Sequence, residues 1–271
     1  MLDPITSRFF HNGGQQGPIV LMYHSVEPGD SLSDWAWSIS LDLFKEHLEL
    51  LYRNGWKTRT LADLAHAPAG SLAPKTVAIT FDDGFENNLD AVEALIDRGM
   101  RATWFIVTGS IGEVPHWGES GRPDCRVLGV ESLREMQSTG MEIGSHSVSH
   151  RRLPALTDQQ LRFELTRSKQ TLEDIIGGPV ESFAYPYGAW DQRCEFEVAE
   201  AGYRVACTTQ SGAALKDNHP LRLRRLTVFN HDSAATIARK LTLLSNEGGW
   251  TTMTSYYSAR AFSRLRQQLG G

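Results

Sequence analysis

Val77-Ala78-Ile79-Thr80-Phe81-Asp82-Asp83-Gly84 is an apolar and β-branched run that ends abruptly in two carboxylates and a glycine. Further along, Ser145-His146-Ser147-Val148-Ser149-His150 sets two imidazoles four residues apart, again behind a strand-like run, Met141 to Ser145. One carboxylate and two histidines hold a divalent metal and leave positions for water and substrate, while the second carboxylate is free to take a proton. Metal-assisted hydrolysis needs that inventory. Taken singly, each part is weak. Asp-Asp-Gly is commonly a solvated turn, and His-x3-His lacks the glutamate of the metalloprotease helix. Together, both at strand ends where α/β folds build their sites, they point to one centre.

Outward from that strand the pattern alternates. Pro18 to Val26 holds Ile-Val-Leu-Met-Tyr, short enough for a buried strand. Ser40 opens a helix with Leu41, Phe44, Leu48 and Leu51 on one face, ending near Gly55. A loop at Ala67 to Pro74 precedes the Thr76–Phe81 strand, and Asn87–Arg98 reads as a helix with Leu89, Val92, Leu95 and Ile96 inward. Ala102–Val107 is a strand, Val130–Ser138 a helix closed by Gly140, and Met141–Ser145 a strand. Thr157 with Gln160 forms a capping box before a long amphipathic helix to Gly177. Ser182–Tyr185, Arg204–Thr209 and Leu223–Val228 are further strands, with helices at Gln192–Glu200 and Ala234–Ser245. Such alternation implies parallel strands joined by helical crossovers, hence an α/β barrel or open sheet. Neither internal repeat nor linker breaks it. We assign one domain over residues 18–249, an N-terminal extension over 1–17 and a C-terminal tail or helix over 250–271. Gly109 to Gly129 is a long Gly- and Pro-rich excursion of the kind that often carries function.

At 271 residues, 41% of them hydrophobic, the chain has material for one sizeable core. A net charge of −5 argues against a general nucleic-acid binder, whose footprint is basic. Cys125, Cys194 and Cys207 are odd in number and outside any C-x-x-C pattern, so they read as buried or incidental thiols. No run reaches the length of a membrane span. Met1 to Gly17 lacks the features of a signal peptide, so the expected compartment is cytoplasmic as written, or periplasmic or secreted where a leader has been removed.

The motifs Thr80-Phe81-Asp82-Asp83-Gly84, Ser145 to His150 and Phe183-Ala184-Tyr185-Pro186-Tyr187-Gly188 resemble, in order and spacing, those of NodB-homology polysaccharide deacetylases, carbohydrate esterase family 4. Leu21-Met22-Tyr23-His24-Ser25-Val26 and the block Phe44 to Leu64 are similar to the exopolysaccharide-deacetylase branch. The resemblance covers residues 18–244 and implies a distorted (β/α) barrel. It implies one divalent metal ion, usually zinc in this family, on Asp83, His146 and His150, with Asp82 as general base. The backbone N–H of Tyr187, in the Tyr185-Pro186-Tyr187-Gly188 turn, is then the second oxyanion donor, and the substrate is an N-acetylated glycan.

An amine leaves only when protonated, so a general acid is also needed. His24, at the end of an apolar strand, is the position from which the exopolysaccharide branch supplies it. His231, in Phe229-Asn230-His231-Asp232, is the alternative and also reads as part of a helix cap. The family's third motif carries an arginine two residues before the proline that orients the base; here that position is Ala184. Arg225, in Leu223-Arg224-Arg225-Leu226, is a replacement within range, although a solvated surface role suits either arginine as well. Trp35, Trp37, Trp117 and Trp190 are candidates to stack on sugar rings, and Trp35, Trp190, Tyr185 and Pro186 are taken as the substrate-binding set.

Two other chemistries fit less well. A non-haem iron oxygenase shares the two-histidine, one-carboxylate triad but has no use for a spare base beside it. A serine hydrolase needs G-x-S-x-G, which is absent. A non-catalytic glycan-binding relative, or an amidohydrolase of another acyl or formyl substrate, stays open, as does the identity of the glycan.

Overall fold

The computed structural model describes residues 2–12, 18–29, 32–68, 70–118 and 121–249. Its strands are β1 (Ile19–Tyr23), β2 (Ser25–Glu27), β3 (Ser38–Ser40), β4 (Lys57–Arg59), β5 (Thr76–Phe81), β6 (Thr103–Ile106), β7 (Glu142–Ser145), β8 (Ser182–Ala184), β9 (Val205–Cys207) and β10 (Leu226–Thr227). Its helices are α1 (Pro4–Asn12), α2 (Leu41–Arg53), α3 (Leu61–His66), α4 (Leu89–Ile96), α5 (Val130–Ser138), α6 (Asp158–Ile176), α7 (Gln192–Glu200) and α8 (Ala234–Leu243).

Every residue of β1 and β5 is buried, the mark of parallel strands covered on both faces. The main sheet runs β10-β1-β5-β6-β7-β8-β9, all neighbours parallel, with β4 added beside β5. A parallel bridge from Cys207 to Leu223 ties β9 to the segment that becomes β10, and β10 pairs with β1. The sheet therefore curls back on itself as a distorted barrel.

Side chains alternate across it. Ile19, Leu21 and Tyr23 of β1, with Val77, Ile79 and Phe81 of β5, join the large core beneath the helices. Val20, Ala78, Phe105, Ala184, Val205, Cys207 and Leu223 form a second cluster inside the barrel, to which α3 contributes Leu61 and Leu64. The inner rows continue upward as Met22 and His24, Thr80 and Asp82, and Arg225 and Thr227. Alternation thus delivers polar side chains to the C-terminal mouth of a barrel that is apolar below. Gly144 lies on the same inner face because Phe105 fills the space: a Cβ there would sit 2.8 Å from the Phe105 ring.

The expected helix at Asn87–Arg98 is shorter, with a 3-10 turn at Glu86–Asn88 ahead of α4. Val92 and Leu95 are buried as expected, whereas Leu89 and Ile96 are exposed, because α4 packs only one narrow face against the core. Helix α1, inside the stretch read only as an extension, packs against α8, and the Phe10 ring lies 6.2 Å from that of Trp56. The β2–β3 pair, β4 and α3 were not foreseen, being too short to show a period. The C-terminal tail assigned to 250–271 lies outside the described residues.

Beneath β1, His47 of α2 is fully buried. Its Nε2–H donates to the Asp232 carbonyl at 2.7 Å, so Nδ1 accepts from the Tyr23 hydroxyl at 3.2 Å. Burial, opposed in part by Asp232 and reinforced by the Lys240 ammonium, lowers its pKa from 6.5 to about 4. The folded chain therefore resists a proton that the unfolded chain accepts. Stability is full above pH 6.5 and falls as pH drops toward 4, by about 3 kcal/mol in all at roughly 1.4 kcal/mol per unit. Denaturant unfolding at pH 7 and pH 4 should show that fall, and His47→Gln should remove it from the difference between the two pH values. An equal fall in the variant would assign the acid sensitivity elsewhere.

Candidate active site

At the mouth of the barrel Met22, His24, Asp82, Asp83, His146 and His150 line one cavity of about 290 Å3, with Trp37, Arg152, Tyr187, Thr209, Thr227 and Phe229 around them. Asp82 continues the inner row of β5. Asp83, next along, would point outward on a continuing strand, but its φ of 72° turns the carboxylate back toward the cavity. Gly84 follows at φ 77°, and its N–H donates to the Asp82 carbonyl at 2.9 Å. Of six non-glycine residues with positive φ among those described, Asp83, Ser147, His150 and Tyr187 all stand here. Strained backbone concentrated at one place is a mark of a built site.

His146 and His150 present Nε2 to Asp83 Oδ1 at 3.6 and 3.3 Å. One donor atom from each of the three residues lies within 4.8 Å of the others. Nδ1–H of His146 donates to the Ala184 carbonyl at 2.7 Å, which leaves Nε2 as a lone pair facing the carboxylate. Burial holds that imidazole neutral by lowering its pKa to about 4. Asp83 Oδ1 is buried without a hydrogen-bond partner. An orphaned carboxylate oxygen facing the His146 lone pair, with His150 Nε2 at 3.3 Å, is costly as it stands and fits a divalent cation. Asp83, His146 and His150 are therefore positioned for a metal.

Glu164 of α6 secures the second histidine. Its carboxylate accepts from the N–H groups of Val148 and Ser149 at 2.8 and 2.9 Å and from the Ser149 hydroxyl. The N–H of His150 donates to Ser147 Oγ at 3.1 Å. Nothing in the sequence pattern singled out Glu164, which reads as one more polar position of an amphipathic helix.

Arg225 is fully buried. Its Nη1 and Nη2 donate to the two oxygens of Asp82 at 2.6 and 2.7 Å, its Nε to the Thr208 carbonyl at 2.9 Å, and Nη1 also to Thr80 Oγ1 at 3.3 Å. Burial would raise the Asp82 pKa, but the guanidinium, helped by His146, more than offsets this and holds it below the ordinary carboxylate value. The cation that Ala184 does not supply thus comes from the residue just before β10. Arg224 points out to Asp217 at 2.7 Å. The alternation Leu223, Arg225, Thr227 was the available signal, since it puts Arg225 on the inner row and Arg224 outside.

The two histidines considered as acid separate clearly. His24 lines the cavity, edge-on to Trp35 at 5.4 Å and beside Trp37 at 5.8 Å, and its Nδ1 is buried without a partner. His231 lies outside the cavity lining, stacked on Phe229 at 5.6 Å, with Nδ1 against Asn230 Oδ1 at 3.3 Å. Tyr187 lies at the cavity rim, its ring 4.5 Å from that of His150.

Of the four residues expected to touch substrate, none lines the cavity. Trp35 is buried behind Trp37, Tyr185 is fully buried, and Pro186 is buried in the turn beneath Tyr187. Trp190 sits beyond Tyr185 under the Arg222 guanidinium at 5.1 Å. The aromatic rings at the cavity are instead Trp37, Tyr187 and Phe229. Trp117 packs on His150 with centroids 4.6 Å apart. Sequence shows where an aromatic residue lies along the chain, but not which side of a loop it faces.

Known proteins resemble the chain in sequence and in fold. The family profile described as polysaccharide deacetylase matches residues 69–206. The chain is 32% identical over 212 residues to a putative polysaccharide deacetylase, YxkH, of Bacillus subtilis, covering 77% of this chain and 70% of that one. Among solved structures, a polysaccharide deacetylase from Bacillus cereus superposes with a TM-score of 0.69 at 25% identity, covering 83% of this chain and 69% of the other. A Streptococcus pyogenes deacetylase solved with acetate shares the fold, with a TM-score of 0.71 at 22% identity over 84% of this chain and 99% of that one.

Proposed function

The chain belongs to the polysaccharide deacetylase family, and from that premise we propose that it hydrolyses N-acetyl groups of amino sugars in a glycan. One observation carries the reading: Asp82, clamped by Arg225, stands in the same cavity as the Asp83, His146 and His150 cluster, with His24 just past the end of the neighbouring strand β1. Asp83, His146 and His150 would hold one divalent ion, for which zinc is our choice. Bound there, such an ion acts as a Lewis acid that makes water nucleophilic near neutral pH.

The chain's own groups do the rest. Each oxygen of Asp82 keeps a second acceptor direction beyond its bond to Arg225, so the carboxylate takes a proton from the attacking water. Arg225 fixes its plane through two parallel bonds and keeps it ionised. The oxyanion of the tetrahedral species accepts from the N–H of Tyr187, whose left-handed backbone (φ 57°) turns the peptide at the cavity rim. His24 gives a proton to the departing amine nitrogen, and its aromatic neighbours restrict the ring. Trp37 and Phe229, 6.4 Å apart, supply apolar faces for a sugar.

Acetate release from N-acetylglucosamine oligomers should vanish when the protein is stripped with chelator and return with zinc. Release that survives complete removal of metal would overturn the assignment. Between the histidines, His24→Gln should lower kcat about 10²-fold or more, while His231→Gln should stay within twofold of the parent. The reverse pattern would move the acid to His231.

A further inference from the structure

A second, open groove of about 510 Å3 adjoins the cavity and shares His150, Arg152 and Tyr187 with it. A glycan seated at the cavity extends into this groove without a break. Rings and a cation pack together along the boundary: Trp117 and Tyr187 lie tilted against His150 at 4.6 and 4.5 Å, and the Arg152 guanidinium sits over Tyr187 at 4.7 Å. Arg151, His116 and Ser149 complete the polar lining.

This stacking determines what Arg152 offers. A guanidinium held by its face keeps the N–H donors of its edge for something else, in a planar fork that matches a carboxylate or phosphate. Among the described residues neither Arg152 nor Arg151 forms an ion pair or a side-chain hydrogen bond, and both are exposed. Two unneutralised cations therefore face one groove in a chain whose net charge is −5. A neutral sugar gains little from an oriented, uncompensated guanidinium, whereas an anion gains both charge and geometry.

We propose that this groove is a subsite for an acidic sugar, in which Arg152, seconded by Arg151, binds a carboxylate or phosphate on the unit next to the N-acetylated one. The preferred substrate is then an anionic glycan. This rests on reading the neighbouring cavity as the deacetylation site.

The test compares three probes: the neutral tetramer of N-acetylglucosamine, a tetrasaccharide alternating N-acetylglucosamine with glucuronate, and the neutral tetramer carrying one 6-phosphate. Binding to Asp82→Asn protein is followed by calorimetry, and kcat/KM of the unaltered enzyme is measured alongside. In 20 mM salt at least one acidic probe should bind tenfold or more tightly than the neutral one, and whichever leads identifies the anion. The lead should shrink several-fold in 500 mM salt, where charge is screened. Arg152→Gln should cut it to threefold or less, and Arg152→Lys should restore only part, having charge without the fork. Equal affinities, or a lead that survives replacing both arginines by glutamine, would overturn the subsite. If Asp82→Asn protein does not fold, the ratio of kcat/KM values answers the same question. Turnover of the neutral tetramer without acidic preference defeats this inference alone. Failure to bind or turn over any probe defeats the deacetylation reading with it.

Discussion

Asp82→Asn is expected to lower acetate release by about 10²- to 10⁴-fold, the range for losing a positioned base. Bound metal should stay at the parent level. The substitution is nearly isosteric. Its amide oxygen can still accept one bond from Arg225 and the side-chain volume is kept, so the variant loses stability through the uncompensated guanidinium without opening a cavity, but no basic oxygen remains to take the proton. Asp83, His146 and His150 are untouched, which makes metal content the internal control. Turnover within tenfold of the parent, with metal retained, would remove Asp82 from the base role. Loss of metal together with activity would mean that the carboxylate helps to hold the ion.

Arg225→Met is expected to destabilise the fold by about 3–5 kcal/mol, because it leaves a buried carboxylate without its counter-charge. It should also lower turnover sharply, since nothing else among the described residues bonds both oxygens of Asp82. Combining it with Asp82→Asn should recover part of the lost stability, as neither charge then remains buried. Arg225→Lys should fold better than Arg225→Met yet remain impaired. It restores a charge but loses the fork and the bond to Thr208. These unfolding midpoints form a double-mutant cycle. A double variant no more stable than Arg225→Met alone would show that the cost lies in packing against Phe105, over which the guanidinium sits at 5.7 Å, and not in the unpaired charge.

Much of the site was legible because it is local. The carboxylates end one buried run and the histidines follow another, and a parallel sheet covered on both faces brings strand ends together. His24 was legible for the same reason, being the next inner position beyond β1 after Val20 and Met22. Helix boundaries set by a capping residue were readable too. Thr157 with Gln160 does start α6, and Gly177 at φ 66° ends it. Aromatic contacts did not follow from position. Trp35 and Trp37 are one side-chain period apart, yet one is buried and the other lines the cavity.

By itself, then, the sequence determined the alternating α/β architecture, the paired carboxylates and the two histidines, since each depends on hydrophobic period or on residues a few positions apart. Only the tertiary structure decided that Arg225 holds Asp82, that Glu164 anchors the His150 loop, and that Trp37 and Phe229, not Trp35 and Trp190, face the cavity. Arg225 and Asp82 are separated by 143 residues, and their contact exists because the curled sheet seats β10 against β1, next to β5. A long-range contact of that kind has no local signature, because its partner is chosen by how the sheet closes and not by the residues on either side.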